Sequence, residues 1–415
     1  MEKLKSLNIR TATIWLYFLL IGILLALFIN RKNFVLNNIE NIGNNSTTPS
    51  KIELAVFIIL VLVICLYSVF YNLKLKYSKS IVLATLIFML ILTFCLPIFS
   101  VDIGAYLISA KNLIFYHTNP YLAPLNYYSQ DSWVIYMGST WWMKYPSLYG
   151  PLALLISSIS VAISSFSFIV AIYIYKFFVL LAVIMSVHLF KKLDASMNKV
   201  NTLLFMLNPI LLISILLDGH NDAFILLSSL AYFYYLKQNK IVSSYLTFLG
   251  GVFIKYLNII IFPSLFIKGK KFYWIRLLLS GILMFLSMYA FTSIFHITLN
   301  DFLNNKALAI NNMCVYVCTP LIAVISIFGK YQTIIRLGLF AIAYSWITIK
   351  YLYLSYHVYK FTFWAFICLF FVFSVTYLPW YGIYPITVGL LINEKKYTIF
   401  TLVLTAYSLL FYFGI

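Results

Sequence analysis

Apolar runs long enough to cross a bilayer recur along this chain and constrain its fold more than any other feature. A transmembrane α-helix needs about 20 consecutive apolar residues. Of the 415 residues, 63% are hydrophobic and only 9% are charged, whereas a soluble chain of this length keeps a mostly polar surface. The sequence therefore predicts an all-α, polytopic integral membrane protein.

The charge balance is strongly basic, with 29 Lys and Arg against ten Asp and Glu. In a soluble protein this excess would indicate a nucleic-acid partner. In a membrane protein, basic loops mark the cytoplasmic side. We therefore expect the excess to fix topology, and we expect no nucleic-acid partner.

Assigning the basic segments to the cytoplasm predicts about 12–13 transmembrane helices and an external C terminus. Residues 148–165 are short and open with Gly-Pro, so they are expected to form an interfacial or re-entrant helix within a large external loop, 100–165. Residues 241–267 are too few for two full crossings, so two half-helices should meet near Lys255 and Tyr256 on the external side. The other predicted spans are 11–29, 52–72, 81–99, 166–190, 200–217, 221–237, 274–295, 333–352, 361–378, 381–393 and 397–413.

The acidic residues are distributed unevenly in this topology. Nineteen of the 29 cations fall in cytoplasmic segments, but only Glu2, Asp194 and Glu394 of the ten acids do. The interrupted helices lie on the external face, and irregular backbone at membrane depth is tolerated only where it lines a cavity. These patterns predict that the functional site lies at the external face of the membrane.

Two charged residues at the outer boundary are candidates for function. Asp102 directly follows the third span, and an acid at the bilayer edge indicates a functional site unless it merely caps a helix beginning at Ile103. Lys255 lies in the apolar stretch "GGVFIKYLNIIIFP". Its ammonium at a half-helix junction suits a phosphate, although a lysine near an ordinary helix end would also snorkel to the interface.

Polar and aromatic turns supply further candidates. The stretch "LNPILLISILLDGHND" ends with Asp218, His220, Asn221 and Asp222, which could hold a metal, bind hydroxyl groups, or simply form a polar turn. The aromatic turns "HTNPYLAP", "WWMKYPSLYGP" and "YLPWYGIYP" would each also suit an interfacial belt. No Gly-rich nucleotide loop and no HExxH helix occurs, which argues against a soluble nucleotide substrate or zinc hydrolysis.

The order of these motifs resembles the GT-C superfamily of polytopic glycosyltransferases. The matching elements, over residues 95–390, are "VDIGAYL", "NPY", "YPSLYGPL", "NP" followed by "GHND", "KY" followed by Pro, and "PWY". Within the superfamily the chain is most similar to bacterial polyprenol-phosphate-mannose-dependent mannosyltransferases. That family often has two adjacent acids near the start of the loop, whereas this chain has Asp102 alone, so a divalent metal lacks a full ligand set.

The resemblance implies a single transmembrane catalytic domain over residues 1–415. It implies transfer of a hexose, mannose in this family, from a polyprenyl-phosphate donor to a glycan or glycolipid acceptor on the non-cytoplasmic face of the cell membrane. Asp102 would act as base in an inverting displacement, and Lys255 would bind the donor phosphate. The candidate substrate contacts are Tyr106, Asn119, Tyr121, Tyr145, His220, Asn221, Asp222, Tyr256, Trp380 and Tyr381.

Two other functions remain open at this point. A lipid-linked sugar flippase or a secondary transporter would explain the broken helices and Lys255, but not the aromatic external loop or the one-sided acids. A ligase that moves a whole lipid-linked glycan would share the fold and differ in the size of its acceptor groove.

Overall fold

The structure is a computed structural model that describes residues 13–23, 51–72, 78–138, 141–165, 167–295, 319–375 and 377–410. These residues are helical almost throughout. Their β structure is a two-stranded antiparallel hairpin in which Ile267–Lys268 (β1) pairs with Lys271–Phe272 (β2). The predicted all-α membrane architecture is confirmed. The cytoplasmic placement of the N-terminal tail and of 73–77, and the external C terminus, concern segments outside the described residues.

The helices follow one another with short connections. In chain order they are α1 (Thr13–Ile23), α2 (Lys51–Asn72), α3 (Lys79–Phe94), α4 (Asp102–Ile114), α5 (Ser132–Met137), α6 (Pro151–Ile163), α7 (Phe168–Leu193), α8 (Val200–Met206), α9 (Ile210–Leu217), α10 (Asp222–Lys237), α11 (Ile241–Ile254), α12 (Tyr256–Leu265), α13 (Trp274–Phe295), α14 (Pro320–Ile325), α15 (Gln332–Thr348), α16 (Val358–Cys368), α17 (Ile383–Ile392) and α18 (Lys395–Leu410). π-helical turns extend α15 to Leu354 and α16 to Phe373, and short 3₁₀ segments fill several connections.

Three helices of the described chain are long and apolar enough to cross a membrane: α7, α13, and α15 with its π-helical extension. The 26 residues of α7 span about 39 Å, more than the hydrocarbon core of a bilayer. Lys191 and Lys192 lie in the last turn of this helix, where cations complement the helix dipole. The total of 12–13 crossings stays a prediction.

The stretch 200–217, predicted as one span, is instead two helices that meet at an angle of 43°. The break falls at Asn208–Pro209, because proline has no N–H to donate and its ring clashes with the preceding turn. The Asn208 side chain stabilises the break: its Oδ1 accepts from the N–H of Ile210 at 2.9 Å, and its Nδ2 donates to the hydroxyls of Tyr67 at 3.1 Å and Thr405 at 3.0 Å.

The predicted external loop contains three short helices, α4, α5 and α6. The 13 residues of α6 span only about 20 Å, too little to cross the bilayer, as expected of an interfacial or re-entrant helix. Gly150 precedes α6, and its N–H donates to the carbonyl of Ile254 at 2.9 Å. A side chain at this position would collide with the backbone of Phe253, so only glycine allows the loop to pack against the end of α11.

Helix breaks occur at the two remaining motifs. Helix α11 ends at Ile254, Lys255 is extended, and the chain continues as the 3₁₀ helix α12, which confirms the predicted interruption near Lys255 and Tyr256. Likewise, the chain leaves helical geometry at Ser374 and resumes it at Pro379, within the "YLPWYGIYP" motif. Helix α10 packs against α11, and the 3₁₀ turn Pro379–Gly382 packs against α9, which brings both interruptions close to the 218–222 turn.

Candidate functional site

The candidate base lies in the first turn of α4. Helix α4 begins at Asp102 itself, and Val101 occupies the N-cap position, so Asp102 is not the capping residue that the alternative interpretation required. The backbone N–H of Asp102 donates to the hydroxyl of Ser100 at 3.2 Å. The Asp102 side chain is only 10% exposed. The carboxylate is therefore almost fully withdrawn from solvent.

A buried lysine holds the end of the helix before Asp102. Lys176, near the middle of α7, is 0% exposed. Its ammonium donates to the carbonyl of Leu92 at 2.9 Å, which also accepts from the N–H of Cys95, and to the carbonyl of Cys95, so it caps the C-terminal end of α3. Sequence reasoning missed Lys176, although a lone lysine inside an apolar helix was a sufficient signal.

Asp218 fixes the connection between α3 and α4. Its Oδ1 accepts from the backbone N–H groups of Ile98 at 2.9 Å and Phe99 at 3.0 Å. The sequence suggested a metal-binding or hydroxyl-binding role for Asp218, but the structure uses it to fix the turn that leads into Asp102. The following residue, Gly219, has φ +73°, a left-handed conformation that glycine adopts without strain.

His220 connects Asp102 to the aromatic residues of the site. Its Nδ1 lies 3.3 Å from the Tyr106 hydroxyl and 3.7 Å from Oδ2 of Asp102. The imidazole stacks on the Trp380 indole, with ring centroids 3.9 Å apart. Tyr106 also packs edge-on against Tyr149 at 4.6 Å. The structure thus brings Asp102 and Tyr106, which lie one turn apart on α4, together with His220 and Trp380 from two distant parts of the chain.

Burial shifts the pKa values of Asp102 and His220. It raises the pKa of the Asp102 carboxyl to about 6, even though the nearby Lys255 charge favours the ionised form. Burial and the same Lys255 charge lower the pKa of His220 well below its usual range. The imidazole is therefore neutral at neutral pH, and its 3.7 Å approach to Asp102 is a polar contact rather than an ion pair.

Lys255 and Asp222 form a buried ion pair. Lys255 Nζ lies 3.4 Å from both carboxylate oxygens of Asp222, and the side chains are 15% and 0% exposed. Tyr384 donates its hydroxyl to the same carboxylate. The Lys255 ammonium also lies over the Tyr381 ring, 4.8 Å from its centroid. The Lys255 ammonium is therefore paired, because Asp222 neutralises and orients it.

Several buried polar atoms in this cluster have no partner among the described residues. They include Oδ2 of Asp218, Nε2 of His220, both side-chain amide atoms of Asn221, and Nε1 of Trp380. Buried polar groups are nearly always hydrogen-bonded in proteins, and each exception calls for an explanation. His220 and Asn221 are 0% exposed. These atoms offer hydrogen-bonding capacity that no described residue uses.

The remaining predicted contacts lie in and beside the external loop. Asn119 closes a turn, since its Oδ1 accepts from the N–H of Tyr121 at 3.0 Å. The carbonyl of Tyr145 accepts from the N–H of Leu125 at 3.1 Å and joins two parts of the loop. Tyr121 is buried. These residues shape the loop, which the hydrogen bond from Gly150 to Ile254 links to the end of α11.

The acids of the site do not converge on a common point. Within the part of the chain that the structure describes, no three His, Cys, Asp or Glu side chains come together as metal ligands. Asp218 is engaged by backbone N–H groups, whereas Asp222 is engaged by Lys255 and Tyr384.

The chain is similar to one family of known enzymes. A family model described as alpha-(1->6)-mannopyranosyltransferase, N-terminal domain, matches residues 15–268, more than half of the chain. No curated protein and no solved structure matches. The match contains Asp102, the 218–222 turn and Lys255, while Trp380, Tyr381 and Tyr384 lie beyond its end.

Proposed function

Since this chain belongs to the alpha-(1->6)-mannopyranosyltransferases, a GT-C mannosyltransferase family, we propose that it transfers mannose from a polyprenyl-phosphate donor to an envelope glycan or glycolipid. The reaction takes place on the non-cytoplasmic face of the membrane. That the chain is a glycosyltransferase follows from the family. The donor, the acceptor, the face and the residue roles are the proposal.

Asp102 acts as the general base in a single displacement. An acceptor hydroxyl gives its proton to the Asp102 carboxylate while its oxygen bonds to the anomeric carbon of the mannosyl group. The bond from that carbon to the phosphate oxygen breaks at the same time, with inversion, and polyprenyl phosphate leaves. Proton transfer to a positioned base contributes about 10²–10⁴ in rate.

Lys255 stabilises the leaving phosphate. A cation that faces developing negative charge in a site shielded from water is worth far more than in bulk solvent. Asp222 holds Lys255 in place, and Tyr384 in turn donates its hydroxyl to the Asp222 carboxylate. A lipid-linked donor also explains why this charge lies at a helix break beside aromatic rings rather than in a soluble pocket.

One observation carries the proposal: a buried acid with a raised pKa and a buried, oriented lysine lie in one cluster together with unsatisfied polar atoms. Perturbed titratable groups of this kind mark functional sites. Contacts of His220 with Trp380, and of Asp222 with Tyr384, tie the matched region to the rest of the chain. They support one catalytic unit over residues 1–415. A flippase or transporter that catalyses no reaction would leave the family match unexplained.

The test is the composition of the cell envelope. Mass spectrometry of envelope glycans, with the protein present and absent, should show mannosylated species that depend on it. Complementation with parent protein should restore them, whereas Asp102→Asn should not. Identical glycan profiles in all strains would contradict the proposal.

The pH dependence of transfer should report the Asp102 carboxyl. Because the base works only when ionised, kcat/KM should be constant above its pKa and fall as the pH drops through about 6. Purified protein assayed with lipid-linked donor over a range of pH would measure this. A fall in kcat/KM centred near the ordinary pKa of an aspartate would mean that Asp102 is not the base.

Asn221→Leu should separate substrate binding from stability. Leucine has a similar size and removes two buried polar atoms that have no protein partner, so the apparent melting temperature should stay the same or rise. Transfer should fall by about 5- to 100-fold, because the amide loses two hydrogen bonds to neutral sugar hydroxyls, each of which contributes about 0.5–1.5 kcal/mol. Unchanged transfer in this variant would exclude Asn221 from the sugar site.

Topology can be checked with two exposed positions. Leu155 is 55% exposed in α6, and Ala195 is exposed after α7. In intact cells, Leu155→Cys should react with a membrane-impermeant thiol reagent, and Ala195→Cys should react only after permeabilisation. Protection of residue 155 in intact cells would overturn the interfacial placement of α6 and the external active face.

A further inference from the structure

A small cavity at the far end of α10 and α11 has the composition of an anion site. It is lined by Leu236, Asn239, Ile241, Lys268, Arg276 and Tyr356, which come from three separate connections. The catalytic cluster contains Asp222 and Lys255, at the opposite ends of the same two helices. The 16 residues of α10 put about 24 Å between the two regions.

We propose that this cavity binds the phosphate of an anionic membrane lipid. Lys268 and Arg276 supply two positive charges, and no Asp or Glu lines the cavity. Among the described residues, neither cation lies within ion-pair distance of a carboxylate. Two neighbouring cations without a counter-charge repel each other, so a bound phosphate would relieve the repulsion.

Aromatic rings hold these cations in place. Lys268 Nζ lies 5.3 Å from the centroid of the Tyr356 ring, and the guanidinium of Arg276 lies 4.1 Å from that of Tyr273. Tyr356 has φ +46°, a left-handed conformation that is uncommon for a bulky residue. Such strained backbone is concentrated at ligand-binding sites. The cations are thus positioned without an acidic partner.

The neighbouring surface indicates a lipid rather than a free phosphate. Arg276 lies in the first turn of α13, and only 6% of the hydrophobic stretch of α13 is buried. Trp274 is 71% exposed and Phe285 is 70% exposed. Tryptophan prefers the membrane interface, and basic pockets beside transmembrane helices bind anionic head groups. An acyl chain along α13 would bring its phosphate to Arg276.

Native mass spectrometry of the purified full-length protein tests this site. The probe is phosphatidylglycerol, with phosphatidylcholine as the neutral comparison. The variant is Lys268→Gln with Arg276→Gln, and the matched control is Lys79→Gln with Lys395→Gln, which removes two exposed cations elsewhere. We expect phosphatidylglycerol to bind the parent and control proteins equally. The site variant should bind it roughly 25-fold more weakly, about fivefold for each cation removed.

The other outcomes would overturn the proposal. Equal binding of phosphatidylglycerol by the site variant and the control would exclude the cavity, as would equal binding of the two lipids by the parent. Displacement of phosphatidylglycerol by inorganic phosphate alone would show that the site takes a free anion instead of a lipid. Mannosyl transfer is measured separately, so a failure here leaves the proposed function intact.

Discussion

Replacing Asp102 with asparagine should abolish detectable mannosyl transfer. The amide keeps the shape of the side chain but cannot accept a proton from the acceptor hydroxyl. Loss of a positioned base lowers the rate by about 10²–10⁴. Donor binding should remain, because the asparagine leaves the Lys255–Asp222 pair intact. The measurement is product formed from purified lipid-linked donor, together with donor affinity.

Stability provides the control for this variant. The raised pKa of Asp102 shows that burial disfavours its charged form, so a neutral amide should leave the apparent melting temperature unchanged or higher. Glu394→Gln removes an exposed acid that pairs with Lys360 and Lys396, and it should transfer mannose at the parent rate. Transfer by Asp102→Asn within tenfold of the parent would exclude Asp102 as the base.

Lys255 substitutions should produce the second large effect. Lys255→Met should lower transfer by about 10²–10³, the usual cost of losing one electrostatic contact to the transition state. Lys255→Arg should retain part of the activity because the charge survives. The methionine variant also leaves Asp222 buried without its cation, which destabilises a protein by about 3–5 kcal/mol. Activity and folding must therefore be separated.

The double variant Lys255→Met with Asp222→Asn makes that separation. Removing both charges of a buried pair is far less costly than removing one. We expect its apparent melting temperature to recover toward that of the parent, while transfer and donor affinity stay low. If transfer recovers together with stability, Lys255 has a structural role and the donor phosphate binds elsewhere.

Local features of the sequence predicted much of this architecture. The length of residues 241–267 and its flanking basic segments predicted the break at Lys255, because neither one nor two full crossings fit. The stretch 148–165 was predicted from its shortness and its Gly-Pro opening, and it contains α6, which begins at Pro151 because proline suits the first helical position. The family resemblance is confirmed by the match over residues 15–268.

Contacts between distant segments could not be predicted in the same way. Asp222 and Tyr384 are separated by 162 positions, and their hydrogen bond depends on how α10 and α17 pack. Tyr384 lay within the "YLPWYGIYP" motif, yet its sequence context did not distinguish it from an interfacial aromatic residue. The Asn208–Pro209 bend was visible as a dipeptide, but its hydrogen bonds to Tyr67 and Thr405 depend on tertiary packing.

The central claim is that this mannosyltransferase takes its sugar from a lipid phosphate through Asp102 and Lys255. The most direct measurement is transfer by the purified, reconstituted protein from polyprenyl-phosphate mannose and, separately, from a nucleotide-linked mannose. We predict product from the lipid-linked donor alone, with none from Asp102→Asn. Transfer from the nucleotide-linked donor, or transfer from the lipid-linked donor that persists in Asp102→Asn, would contradict the account.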